Sequence, residues 1–370
     1  MNSVTNTIPT TFKDTLPAYT AVGGKERRAS TGLSAVILNR GGRYPRYSLY
    51  EELEKIGFDF ILSMESSSNR YNIDDLSASF PFVRFILPQE DLSTGEEINL
   101  AASELSSPLF FVIWNDLKIL RCGGAARMVE RLQSDESDKK SSYRRLCTSP
   151  AIQDVHSEPM PTLMAPALLP EKKTKTTIRV IPFIPKKEGH TTLYPYDGIG
   201  IYDRERFIRL NGFDSRIKNF FWQLMDFGFR SGLWGEEIAT TQLIKLSYEG
   251  TVPQEDSTVG NDYMRFYLKN LSPVFKKDYA HIPLRRFPGY LKLRGEFPAA
   301  WEEFSAAREW VRTNRYRFTS DARTMAERFT FNETSEITQG SSFEKDGTEL
   351  CENQKDKSLL YDDDSQKEAN

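Results

Sequence analysis

Apolar positions along this chain fall into two rhythms. Leu33–Asn39 (LSAVILN), Phe58–Met64 (FDFILSM), Phe82–Leu87 (FVRFIL) and Leu109–Trp114 (LFFVIW) are short, nearly continuous apolar runs suited to buried strands. Between them, Tyr47–Ile56 carries apolar residues at helical spacing and Ile73–Ser79 reads as a short helix. Thr94–Ser106 is a longer helix with an acidic first turn and Ile98, Ala101, Ala102 and Leu105 on one face. Apolar strands alternating with helices predict a parallel sheet covered on both faces, with right-handed crossovers. In such a sheet the ligand crevice lies beyond the carboxyl ends of the strands. Those ends carry Asn39-Arg40-Gly41-Gly42, Glu65-Ser66-Ser67-Ser68 and Asn115-Asp116.

The alternation then stops. Residues 121–193 read as a long irregular insertion, with a charged stretch, a Pro-rich stretch and one strand over Thr177–Phe183. A loop of that length in a compact domain serves as a binding loop or lid. From Tyr202 the pattern turns helical, and residues 261–329 are helix-rich, with many aromatic and basic side chains. Residues 1–30 and 335–370 are polar and aperiodic, and disorder is expected there. The plan is an α/β domain over 31–272 and a helix-rich C-terminal extension over 273–334.

Composition narrows the function classes. Apolar residues make up 39% and aromatics 12% of 370 residues, enough for a substantial core. A net charge of -3 gives no general reason to expect nucleic acid or an anionic membrane as a partner. Three cysteines, Cys122, Cys147 and Cys351, form neither a metal-binding spacing nor a disulfide framework. The first thirty residues lack a signal-type apolar core, and no run approaches the ~20 apolar residues of a membrane span. A cytoplasmic setting is therefore expected, with room for peripheral membrane contact. No P-loop, nucleophile elbow, zinc-protease or kinase signature occurs, and Gly198-Ile199-Gly200 is too little for a phosphate cradle.

Several carboxylates could carry chemistry. Asp116, at the end of an apolar strand, is placed either to hold a divalent cation against a diphosphate or to cap a loop. Glu65 could accept from a base or sugar, or belong to an ordinary polar turn. Asp226 lies in the apolar, aromatic segment WQLMDFGFR. Such a carboxylate is paired or working: an ion pair with Arg230 four residues on, or a general base.

Taken in order, VILNR, ILSMESSSN, FPFVRFILPQEDLSTGEEINLAASELS, PLFFVIWND, LNGFDSR and FWQLMDFGFRSGLWG resemble glycosyltransferase family 2. The resemblance covers roughly residues 33–270. It implies a GT-A type α/β fold, with a mainly parallel Rossmann-like sheet flanked by helices. It further implies inverting transfer of a sugar from a nucleotide-diphosphate donor to a glycan, lipid-linked or protein acceptor. Asn39, Arg40, Glu65, Ser67, Asn99, Asn115, Asp116 and Arg230 would then serve the donor. Asp116 would hold Mn²⁺ or Mg²⁺, and Asp226 would be the base. Tyr196, Asp197 and Trp222 would lie on the acceptor side, although a core role suits the rings equally. This chain departs from the family pattern in having Asn115-Asp116 for Asp-x-Asp, Glu at position 65 and Met225 before Asp226. Those departures keep open a second reading, a GT-A-fold sugar-nucleotide-binding or interaction protein without turnover.

Overall fold

The computed structural model describes residues 17–24, 29–40, 46–65, 73–137, 144–170 and 176–329. In chain order the first half comprises β1 (Tyr19–Gly23), β2 (Leu33–Leu38), α1 (Arg46–Ile56), β3 (Ile61–Met64), α2 (Ile73–Ser79), β4 (Val83–Pro88), α3 (Thr94–Glu104), β5 (Leu109–Trp114) and β6 (Leu117–Arg121). Next come α4 (Ala125–Ser137), β7 (Arg144–Gln153), β8 (Leu163–Pro170), β9 (Thr176–Phe183), β10 (Gly200–Asp203), α5 (Arg204–Arg209), α6 (Phe220–Leu233) and β11 (Glu236–Tyr248). The C-terminal region holds α7 (Asn261–Phe266), which runs into a π turn over Tyr267–Leu271. The hairpin β12 (Val274–Lys276)/β13 (Tyr279–His281) and helices α8 (Phe287–Arg294), α9 (Phe297–Asn314) and α10 (Ala322–Glu327) follow.

The main sheet has the order β1-β4-β3-β2-β5-β10-β7-β11-β6. Its strands β4-β3-β2-β5 are parallel, joined through α2, α1 and α3 as the apolar pattern predicts. All six residues of β2 are buried, as expected of a strand covered on both faces. From β2 the chain steps outward through β3 and β4, then returns to place β5 on the other side of β2. That reversal makes the β2/β5 boundary the topological switch point, where a crevice opens beyond the strand ends. Beyond β5 the sheet is mixed: β10 is antiparallel to both β5 and β7, while β7 and β11 run parallel.

Three expectations are corrected. Residues 121–193 are not an irregular loop, because they contain α4, β7 and the β8–β9 hairpin, and β7 enters the main sheet. Nor is the chain after Tyr202 wholly helical. Glu236–Tyr248 is a 13-residue strand, rich in Ile, Thr and Leu and paired on both edges. Within the first thirty residues, Tyr19–Gly23 forms a strand antiparallel to β4, with the Tyr19 hydroxyl donating to Glu104 at 2.5 Å.

The C-terminal helices pack on this sheet domain. Trp234, just after α6, stacks on Trp310 of α9 at 5.9 Å and meets Phe318 edge-on. One apolar core runs from Leu33 to Met325. Among the described residues, no helix is long and apolar enough to cross a membrane, and Cys122 and Cys147 are free thiols.

Candidate functional site

The switch point gathers polar side chains from four places in the chain. Strands β2 and β5 end side by side, with Leu38 in register with Trp114. Past that pair the Asn115 amide donates to the Leu38 carbonyl at 2.9 Å, and the Arg40 amide donates to Asn115 Oδ1 at 3.2 Å. Asn39 turns its amide toward β3. Its Nδ2 donates to the Met64 carbonyl at 2.6 Å, and to Ser63 Oγ and Glu65 Oε1 at 3.2 Å each. Ser63 also donates to Glu65 Oε1 at 2.7 Å.

Arg40 is the hub. Its guanidinium lies 3.8 Å above the Trp114 ring, close enough for a cation–π contact. One end bonds Asp197 and the other reaches Asp116 Oδ2 at 3.5 Å. Asp197 occupies the turn before β10 with a left-handed backbone (φ 55°). Its carboxylate accepts from the Tyr248 hydroxyl at 2.7 Å, and its carbonyl accepts from Trp114 Nε1 at 2.9 Å. The end of β11 is tied to the same place, since the Glu249 amide donates to the Asp116 carbonyl at 2.9 Å.

Burial sets the electrostatics. It raises the Asp116 carboxyl above its ordinary range, against the pull of Arg40. Asp197 is raised for the same reason, although Arg40 and Tyr248 favour its ionised form. Burial works against the Arg40 cation, and the attraction of Asp197 and then Asp116 more than offsets it. Two buried acceptors, Asn39 Oδ1 and Asp116 Oδ1, have no hydrogen-bond partner among the described residues. Unmet buried acceptors are costly in a finished fold and are the atoms a ligand would satisfy.

Of the residues singled out from the sequence, the structure brings together Asn39, Arg40, Glu65, Asn115, Asp116, Tyr196 and Asp197. Ser67 lies outside the described residues. Four others are engaged elsewhere.

Asp226, expected as a base, is fully buried. It accepts from Arg230 Nη2 at 2.7 Å and from Asn270 Nδ2 at 2.8 Å, and it pairs with Lys269 Nζ at 2.8 Å. Lys269 also pairs with Asp214, which takes Arg265 as well. Burial pushes the Asp226 carboxyl up, but Lys269 and Arg230 outweigh it and hold it below the ordinary range. A carboxylate enclosed by three donors is a poor proton acceptor, so the ion-pair reading of Asp226 prevails over the base reading.

Arg230, expected near the donor, spends its other bonds on the carbonyls of Leu210 and Gly212. Asn99, expected on the same side, uses both ends of its amide on the backbone of Phe213, at 2.9 Å each, fixing α3 to that turn. Trp222 is a core ring packed on Tyr263 and Phe266, and its Nε1 donates to the Thr258 carbonyl at 2.8 Å.

Sequence reasoning missed three residues. Tyr248 closes the Asp197 side of the cluster. Glu97, in the first turn of α3, is pushed up to about 8 by burial and then by the charge of Glu65. Glu255 lies on the loop after β11. Although the residue reaches solvent, both its carboxyl oxygens meet the hydroxyl of fully buried Tyr194 at 3.2 Å. Burial pushes this carboxyl up to about 7, and the charge of Asp197 adds to the rise. Nothing in the local sequence TVPQEDST marks Glu255. Its placement follows from the loop folding back, pinned by Trp222 to Thr258 and by Asn219 to Asp256.

A divalent cation fits this site only thinly. Among the described residues no group of three His, Cys, Asp or Glu side chains could hold a metal. Asp116, with its unpartnered Oδ1, is one suitable oxygen donor, and the Arg40 guanidinium already stands beside its other oxygen. The remaining positions around an ion would have to be filled by ligand oxygens and water.

No family model matches the chain, and no curated protein is similar to it in sequence. Solved structures that resemble it include two GT-A-fold glycosyltransferases. One is GalNAc-T7, solved with UDP, GalNAc and Mn²⁺, at 12% identity and TM-score 0.45, over 67% of this chain and 49% of the other. The other is TarS of S. aureus, at 11% identity and TM-score 0.40, over 64% of this chain and 38% of that one. A TarS 1–349 structure in complex with UDP-GlcNAc aligns at 10% identity and TM-score 0.40, over 64% of each chain. The chain thus spans under two thirds of the length of each of these proteins, and likeness of this degree identifies no reaction.

Proposed function

We propose that this chain is a glycosyltransferase that takes a nucleotide-diphosphate sugar at the β2/β5 switch point and transfers the sugar with inversion to a hydroxyl of a glycan, lipid-linked or protein acceptor. The observation that carries the proposal is the convergence of Asn39, Arg40, Glu65, Asn115, Asp116 and Asp197 at the ends of β2, β3 and β5, with two buried acceptors there unmet among the described residues. The family-2 resemblance of VILNR, ILSMESSSN and PLFFVIWND supports the same reading.

In this proposal Asn39 and Glu65 receive the nucleoside. Arg40, held flat on Trp114, meets the diphosphate. Asp116 alone would hold Mg²⁺ or Mn²⁺, which when bound would offset the charge of the leaving diphosphate. The base role moves from Asp226 to Glu255. At about 7 its carboxyl is poised to take the proton of an acceptor hydroxyl, which a carboxyl with an ordinary pKa does less well at neutral pH. Inversion would require Glu255 to work on the face of the sugar opposite the leaving group.

The enclosure of Asp226, together with the lack of a three-ligand metal group among the described residues, favours one alternative: a sugar-nucleotide-binding protein without turnover.

Thermal melting of the full chain against a panel of nucleotide-diphosphate sugars, with and without Mn²⁺, tests the binding claim. At a hundred times its dissociation constant a ligand stabilises the fold by about 2.7 kcal/mol. The proposal expects a shift with one donor that is lost in Arg40→Ala. A cooperative melt that no donor moves would overturn it. Binding without release of nucleoside diphosphate in the presence of any acceptor would select the alternative.

A further inference from the structure

A cavity lies away from the switch point, between the β12–β13 hairpin and α9. It encloses about 490 Å³ and is lined by Tyr279, His281, Leu284, Arg308, Arg312 and Arg315, among others. Arg308 and Arg312 follow at i and i+4 on one face of α9, and Arg315, at i+7, is the residue that caps its C-terminus. Glu309, paired with Arg312 at 2.7 Å, is the one acidic residue in the lining. Arg308 is held in place by its bond to the Ile282 carbonyl at 3.0 Å. His281 Nδ1 is buried with no hydrogen-bond partner among the described residues. Cations near a helix C-terminus complement its dipole, but that effect requires neither a cavity nor an unmet imidazole nitrogen. Three guanidinium groups and an imidazole around one opening are the chemistry that receives a phosphate ester.

The rim shows what carries that ester. Leu284, which lines the cavity, is 54% exposed, and Phe297 and Trp301 are 59% and 46% exposed. Phe297 and Trp301 both pack edge-on against Phe287, which stands three residues after Leu284 in the chain. Residues 274–329 hold twelve Lys and Arg against seven Asp and Glu, in a chain whose net charge is -3. Exposed aromatic and aliphatic side chains beside a basic pocket match the boundary between lipid headgroups and acyl chains.

We propose that this cavity binds the phosphate headgroup of an anionic phospholipid, with Leu284, Phe297 and Trp301 entering the bilayer interface, so that the protein works at a membrane surface. The inference is independent of the switch-point chemistry, since none of these residues takes part there.

The test is co-sedimentation of the full chain with vesicles of phosphatidylcholine alone and of phosphatidylcholine with phosphatidic acid. Binding is expected only to the second, weakening as salt rises. Arg312→Glu with Arg315→Glu should cost more than about tenfold in affinity while leaving the melting temperature unchanged, because both side chains are exposed. Trp301→Ser with Leu284→Ser should weaken binding without changing its salt dependence. Equal binding to both vesicles, no binding to either, or full binding by the charge-reversed variant would each overturn the proposal. If glycerol phosphate raises the melting temperature while acidic vesicles are ignored, the ester belongs to a soluble ligand and the lipid assignment falls.

Discussion

Asp226 and Glu255 show how surroundings, rather than residue type, assign roles to carboxylates. Asp226 has donors on both oxygens and cations on two sides; Glu255 has one phenol and a nearby like charge. Removing Asp226 leaves Arg230 and Lys269 buried with less compensation. Asp226→Ala should therefore cost about 3–5 kcal/mol of stability, seen as a lower urea midpoint. A variant that melts like the parent would show that the network carries no stability. Glu255→Gln should do the reverse. Its stability should not fall and its donor affinity should hold, while nucleoside diphosphate release falls by about a hundredfold or more. In the parent, the ionised fraction of Glu255 grows as pH rises through about 7, so the rate should climb through that range and level off above it. In the variant this limb should be absent. A limb that survives the substitution would remove Glu255 from the base role.

At the scale of elements, α3 and α6 are fixed in the fold by close approach. In α6, a Cβ on Gly228 would stand 2.3 Å from the Leu193 carbonyl oxygen. In α3, a Cβ on Gly95 would meet Phe213 Cβ and Gln223 Oε1 at 2.7 Å. Exposed helical glycines gain up to about 1 kcal/mol on replacement by alanine. Here the sign should invert, with Gly228→Ala destabilising by about 1–3 kcal/mol because backbone has to move. An unchanged or raised melting temperature would refute the packing. The same elements mark the limits of reading the sequence. Strands β2 to β5 and their helices were legible because each strand is buried on both faces and each helix shows one apolar stripe. Strand β11 was not, because EEIATTQLIKLSY mixes polar and apolar residues and is fixed as a strand by β7 and β6, distant partners in the chain. The carboxyl ends of β2, β3 and β5 could be named as the candidate site from topology alone. Asn99 and Arg230 could not be told from ligand-binding residues, because both are polar groups whose partners, the carbonyls at 210–213, come from another segment. Asp197 was named from the resemblance, but its bond to Arg40 comes only from the turn before β10, and Glu255 enters only when the turn after β11 folds against Tyr194.

For the whole molecule, these carboxylates give stability an unusual pH dependence. Glu97 and Glu255 have an ordinary value of 4.5 and rise in the fold to about 8 and about 7. Between those values the folded chain binds more protons than the unfolded one. Stability therefore falls as pH rises through that window, as linkage requires. Asp214 and Asp226 work with the opposite sign. Their folded values lie below the ordinary 3.8, so the stability they add is present above it and is lost as pH falls further. The two effects together place the maximum between the ordinary values of 3.8 and 4.5, well on the acidic side of neutrality. Urea midpoints should decline from about pH 5 to about pH 8, and Glu97→Gln should flatten the decline by removing the group with the wider window. A midpoint that rises over the same interval would mean that Glu97 ionises normally beside Glu65, and the crowded, partly neutral crevice inferred at the strand ends would have to be redrawn as one filled with charge.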